Sequence, residues 1–140
     1  MAVPVSSLAL VLCDDHAAYR TYLAQLLRRA GLAIVGQASD VVGLRAWLAR
    51  HAAVPDLVLM DVQMPGGGPA GLAALLRDHP GLRVLALSAH DDPAIVAAML
   101  AAGAGGYLLK DDPLQELVDA IRGVAAGQCR VSQALPPAQQ

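Results

Sequence analysis

Five side chains in this sequence could act as one chemical unit: the adjacent carboxylates Asp14 and Asp15, a third carboxylate at Asp61, the hydroxyl of Ser88 and the amine of Lys110. Two unit charges about 4 Å apart, at an effective dielectric near 20, repel by roughly 4 kcal/mol. Something nearby should offset that cost, or the carboxylates point into water; if they converge, they make a site for a cation. A hard divalent ion that prefers oxygen fits. Mg²⁺ takes one or two carboxylates, keeps several waters and completes its shell with phosphate oxygens. Lys110 would pair with Asp61 at rest and with a phosphoryl group later, as a compact positive charge. Ser88 would hydrogen-bond a phosphoryl oxygen. A carboxylate such as Asp61 can attack phosphorus and carry an acyl phosphate.

Taken singly, these residues say little, because an aspartate at a strand end is usually a turn former or a helix cap. Their positions give them weight. Each follows an apolar run: "LALVLC" (8–13) leads to Asp14 and Asp15, "DLVLMD" (56–61) ends at Asp61, "RVLALS" (83–88) at Ser88 and "GYLLK" (106–110) at Lys110. A fifth run is "AIVG" (33–36). None of these runs alternates with polar residues, which marks strands buried on both faces, as in a parallel sheet.

Helical spacing fills the intervals. Tyr19, Leu23, Leu26, Leu27 and Ala30 share a face that Gly31 ends. Leu44, Trp47 and Leu48 follow Asp40 as cap, and Leu72, Leu75 and Leu76 mark a short third helix. Ile95, Val96, Met99 and Leu100 follow Asp91 or Asp92 and Pro93. Leu114, Leu117, Val118, Ile121 and Val124 follow Asp112 as cap and Pro113. Alternation of strand and helix predicts an α/β domain with a parallel sheet. Such sheets bind ligands outside the carboxyl ends of their strands, where the five chemical residues fall.

The remaining composition narrows the class. With 140 residues, 56% of them hydrophobic and 16% charged, the chain is long enough for one domain with a core. A net charge of -2 gives no basic footprint for nucleic acid. Cys13 and Cys129 are too few for a disulfide framework, so a reducing, cytoplasmic setting is expected. "SSLALVLC" is not expected to be a lipoprotein signal: no basic residue precedes it, and Leu12 stands where a small residue is needed. No run reaches the ~18 apolar residues of a membrane span. His51, His79 and His90 are scattered, whereas His16 is placed to cap the first helix or line the site.

The segments "CDDH" (13–16), "LVLMDVQMPGGGPAG" (57–71), "LALSAHDD" (85–92) and "AAGAGGYLLKDD" (101–112) resemble the receiver domain of a two-component response regulator, from about Leu8 to Gly127. The wording "LSAHDD" and "GAGGYLLKD" is most similar to receivers that carry a helix-turn-helix output domain. The resemblance implies a flavodoxin-like, doubly wound sheet of five parallel strands in the order 2-1-3-4-5. It implies Asp61 as phosphoacceptor, and Asp14, Asp15, Asp61 and the backbone carbonyl of Gln63 as Mg²⁺ ligands. Ser88 and Lys110 would sense the phosphoryl group, and Tyr107 would be the switch aromatic that moves inward. The expected partner is a sensor histidine kinase, with a possible homodimer. The expected output is transcription regulation through a further domain, with no DNA or membrane binding by this chain itself. The chain would be a signalling switch that catalyses only its own phosphorylation and slow dephosphorylation. Residues 1–127 would form the receiver, and 128–140 ("SQALPPAQQ" at its end) a linker or disordered tail leading to that output domain.

Two departures bear on the site. Many receivers have Gly eight residues after the acceptor; here Pro69 stands there and Gly71 follows, which suggests a longer or rearranged, flexible loop. Many receivers also have Pro after the lysine, and here Asp111 follows Lys110. A cis non-proline peptide would cost roughly 3–4 kcal/mol. Three rival readings are weighed against the receiver. A flavin module needs a phosphate cradle after the first strand, where Asp14 and Asp15 would repel phosphate. A phosphohydrolase commonly has an acid two residues after its nucleophile, and this chain has Gln63. A phosphorylation-independent docking module would not need the complete set of five.

Overall fold

The computed structural model describes residues 8–136. Its elements are β1 (Ala9–Cys13), α1 (Ala17–Arg29), β2 (Ala33–Ala38), α2 (Val41–Arg50), β3 (Leu57–Asp61), α3 (Pro69–Asp78), β4 (Val84–Ser88), α4 (Pro93–Ala101), β5 (Gly106–Leu109), α5 (Leu114–Ala125) and β6 (Arg130–Val131). The strands all pair in parallel as one sheet in the order β2-β1-β3-β4-β5-β6. The expected five-strand order is present, with one strand added at the β5 edge.

The strands explain the missing alternation in the sequence. Val11, Cys13, Val58, Met60, Val84, Ala86 and Tyr107 face one core, shared with Leu44 and Trp47 of α2, Leu72 and Leu75 of α3 and Val96 and Met99 of α4. Leu10, Leu12, Leu57, Leu59, Leu85, Leu87 and Leu108 face the other, against Leu23 and Leu27 of α1 and Leu117 and Ile121 of α5. Both faces are dry, so both residue sets must be apolar. The helix starts follow from local chemistry. Asp40 accepts from the Gly43 N–H at 2.7 Å, and Asp92 from the Ala94 N–H at 2.9 Å. Asp112 is the exception. It does not cap α5, where Pro113 takes the cap position without a side-chain bond. Its carboxylate instead accepts from the Leu109 N–H at 2.8 Å and from the Ser132 hydroxyl at 2.9 Å.

The sixth strand lies in the stretch the sequence reads as a linker. Arg130 and Val131 pair with Gly106 and Tyr107, and the Ser132 N–H donates to the Tyr107 carbonyl at 2.9 Å. Ser132 and Leu135 are both buried. A two-residue strand has no period to read, and its partners come from the β5 edge rather than its own neighbours. Residues 1–7 and 137–140 lie outside the described ones. Among the described residues, no helix is long and apolar enough to cross a membrane.

Candidate functional site

β1, β3, β4 and β5 are consecutive neighbours in the sheet, so the residues that follow them meet at one edge. The Asp14 N–H still bonds the Ala38 carbonyl at 3.0 Å, which fixes the end of β1. Asp61 and Ser88 are the last residues of β3 and β4. The Lys110 N–H donates to the Ser88 carbonyl at 2.8 Å, which sets the lysine at the same height. The described peptide bonds are all trans, Lys110–Asp111 among them.

The side chains converge. Lys110 Nζ lies 2.8 Å from Asp14 Oδ2 and 3.5 Å from Asp61 Oδ2. The pairing expected at rest between Lys110 and Asp61 is therefore shared, with Asp14 the nearer carboxylate. The ammonium also sits 4.6 Å from the centroid of the Tyr19 ring, a favourable cation–π position. Asp61 is 2% exposed. Its Oδ1 accepts from the Gln63 N–H at 3.0 Å, but its buried Oδ2 accepts no hydrogen bond. A buried carboxylate oxygen left in this state is costly. Asp15 stands at the mouth, its side chain 39% exposed.

His16 joins this group. As the residue before α1 it makes no side-chain cap bond. Its ring Nδ1 instead lies 3.3 Å from Asp14 Oδ1, 3.2 Å from Asp15 Oδ1 and 3.9 Å from Asp61 Oδ2. One donor atom from each of Asp14, Asp15, His16 and Asp61 falls within 4.8 Å of the others. The sequence offered cap or site for His16; the structure gives it to the site.

The charges tune one another in opposite directions. Burial raises the Asp14 pKa, but bonds from the Lys110 ammonium and from the backbone and ring of His16 outweigh it, holding Asp14 below the usual carboxylate range. For Asp61 burial prevails. The Gln63 N–H and Lys110 only partly oppose it, Asp14 and Asp15 add repulsion, and the pKa is raised. Burial, with Asp14 and Asp61 nearby, pushes the Tyr19 hydroxyl to about 12. Burial and the charge of Asp40 push the Cys13 thiol to about 12, so Cys13 stays a protonated core residue.

A second set of contacts leads away from Asp61. The Ser88 hydroxyl lies 3.4 Å from Gln63 Oε1 and accepts from the His90 N–H at 3.0 Å. The Tyr107 hydroxyl donates to the His90 carbonyl at 2.9 Å. Tyr107 is fully buried, so its ring already stands inward. The His90 link escapes sequence reading because His90 contributes only backbone atoms to it.

The loop after Asp61 is closely packed. The Gly67 N–H donates to the Met64 carbonyl at 2.9 Å, and α3 begins at Pro69. A Cβ at Gly67 would strike the Asp61 carbonyl oxygen, and one at Gly71 the Gly66 carbonyl. The extra glycines allow a tight turn against the site, where the sequence suggested a loose connection.

The arrangement fits a hard divalent cation. Three carboxylates converge with a buried oxygen that has no hydrogen-bond donor, and oxygen is the donor type such an ion selects. An open parallel α/β sheet with this acidic edge, flanked by a lysine and a hydroxyl, defines a flavodoxin-like receiver fold with a candidate cation site. The family model for the response regulator receiver domain matches residues 10–122, and the chain belongs to that family. It is 42% identical over 121 residues to the response regulator GacA of Pseudomonas protegens, covering 85% of this chain and 56% of that protein. It is 40% identical over 127 residues to the transcriptional regulatory protein NarL of Mycobacterium tuberculosis, covering 89% and 58%. The chain thus spans a little over half the length of these curated relatives. The solved signal receiver domain of that NarL matches with a TM-score of 0.75 at 38% identity, covering 86% of this chain and 98% of that one. A LuxR-family two-component response regulator from Aurantimonas sp. SI85-9A1 matches with a TM-score of 0.79 at 34% identity, covering 89% of each chain.

Proposed function

We propose that this receiver accepts a phosphoryl group from a sensor histidine kinase onto Asp61, in a Mg²⁺-dependent reaction that switches an output domain. The observation that carries the reading is Asp61 Oδ2: buried, without a hydrogen bond, and flanked by Asp14, Asp15 and Lys110. Asp14, Asp15, Asp61 and the Gln63 carbonyl would hold the ion. Mg²⁺ when bound supplies positive charge against the phosphoryl oxygens.

The protein's own residues do the rest by position. One oxygen of the Asp61 carboxylate forms the new P–O bond as the donor's P–N bond to the kinase histidine breaks, giving an acyl phosphate. The Gln63 N–H holds Oδ1 and so fixes the carboxylate plane. Lys110 moves its charge from Asp14 and Asp61 toward the phosphoryl oxygens. Ser88 turns its hydroxyl to the new oxygens, which disturbs its bond with the His90 N–H and, through the His90 carbonyl, the seat of Tyr107. Such a chain of contacts can shift a two-state surface around α4 and β5. The whole protein would act in the cytoplasm as a transcription regulator, with DNA contacts made by a further domain outside the described residues. A homodimer strengthened by phosphorylation completes the proposal, and sedimentation with and without a phosphoryl mimic checks it.

Acetyl phosphate with Mg²⁺, read by intact mass, tests the core of the reading. One added phosphoryl group on the wild type, absent in Asp61→Asn and with EDTA, is the expected result. No labelling under any condition would overturn it in favour of a phosphorylation-independent docking module.

A further inference from the structure

We infer that His16 is a nitrogen ligand of the acidic site and biases it toward first-row transition cations over Mg²⁺. The inference rests on the proposed cation site and names a donor outside the all-oxygen set assigned above. Bonds of about 2.0–2.1 Å in near-octahedral geometry place neighbouring donors about 2.9 Å apart and opposite donors about 4.2 Å apart. His16 Nδ1 stands 3.3 Å from Asp14 Oδ1 and 3.2 Å from Asp15 Oδ1, close to the spacing of neighbours. It stands 3.9 Å from Asp61 Oδ2, close to the spacing of opposites. The buried Asp61 Oδ2 accepts no hydrogen bond, and its charged neighbours are the Lys110 ammonium at 3.5 Å and the His16 ring, so its charge is only partly compensated.

The position of His16 in the chain supports this use. It directly follows Asp14 and Asp15, and its N–H donates to Asp14 Oδ1 at 2.8 Å, which anchors the backbone beside the acids. Its ring makes no cap bond to α1 and is largely solvent-exposed, so ion binding breaks no bond that the helix needs. Imidazole suits Co²⁺, Ni²⁺ and Zn²⁺, whereas Mg²⁺ prefers oxygen and gains little from a nitrogen. A site of three carboxylates and one imidazole therefore discriminates between the two kinds of ion.

Calorimetric titration of the wild type and His16→Ala with Co²⁺ and with Mg²⁺ tests this at one pH near neutrality, alongside proton NMR of the Co²⁺ form. The expected result is a loss of about tenfold or more in Co²⁺ affinity with Mg²⁺ affinity changed less than about twofold. The hyperfine-shifted, non-exchanging ring C–H resonances of one imidazole should appear in the wild type and vanish in His16→Ala. Equal changes for both ions, or no such resonance, would overturn the inference while leaving the Mg²⁺ site in place. Tighter binding of both ions by the variant would mean that His16 acts only as a competing counter-charge, and would overturn it too. Absence of Mg²⁺ and Co²⁺ binding in the wild type would overturn the cation site itself, and this inference with it. Asp61→Asn serves as the control that should weaken both ions.

Discussion

Lys110 holds Asp14 more closely than it holds Asp61, with Nζ at 2.8 Å from the first and 3.5 Å from the second. The lysine thus neutralises one carboxylate well and leaves its neighbour only partly compensated. Removing one partner of a buried ion pair strands the other charges. Lys110→Ala should destabilise the metal-free protein by about 2 kcal/mol, less than a fully buried pair because the amine is partly solvated. Mg²⁺ should reduce that deficit by supplying the missing positive charge. Urea unfolding with and without Mg²⁺ measures both, and an unchanged midpoint in Lys110→Ala would show that the pair contributes nothing.

Asp61 is the complementary case. Its buried Oδ2 accepts no hydrogen bond, so the ionised side chain strains the metal-free fold. Asp61→Asn keeps the shape and removes the charge. It should stabilise the metal-free protein at neutral pH by about 1 kcal/mol, read as a higher urea midpoint with an unchanged slope. The same substitution should abolish Mg²⁺-dependent stabilisation. A less stable variant would show that the carboxylate is better accommodated than its contacts indicate.

The two aspartates should oppose each other as pH falls. Asp14 has a lowered pKa. Its contribution is complete above the ordinary aspartate value near 3.9 and is lost as pH falls through the lowered one. Asp61 has a raised pKa. Its contribution is complete below the ordinary value and is lost as pH rises through the raised one. The advantage of Asp61→Asn over wild type should therefore be largest near neutrality and shrink as pH approaches about 4. Paired unfolding curves in metal-free buffer check the sign, and an advantage that grows on acidification would reverse the assignment.

Much of this was legible in the sequence, for identifiable reasons. Buried parallel strands need apolar residues on both faces, so β1, β3, β4 and β5 stand out as unbroken runs. The strand ends then point to Asp14, Asp15, Asp61, Ser88 and Lys110 without further information. What escaped depends on contacts distant in sequence. β6 exists because the β5 edge offers unpaired backbone groups to Arg130 and Val131. Asp112 looks like a helix cap by position but is drawn to Leu109 and Ser132. The loop glycines read as slack, because sequence cannot show that Gly67 and Gly71 abut backbone carbonyls.

Those glycines give a graded test of the loop. Gly67 and Gly71 have no room for a methyl group, since backbone oxygens of Asp61 and Gly66 stand in the way. Nothing lies within 4 Å of the corresponding point at Gly68, and its φ of -79° suits any residue. Gly68→Ala should therefore be neutral within about 0.5 kcal/mol. Gly67→Ala and Gly71→Ala should each cost about 1–3 kcal/mol, because rigid backbone must move to admit the methyl. Gly67→Ala should do further harm, as the atom it displaces is the carbonyl of Asp61 itself. Acetyl-phosphate labelling should slow in Gly67→Ala and stay at the wild-type rate in Gly68→Ala. Equal labelling rates in all three variants would show that the turn does not set the position of Asp61.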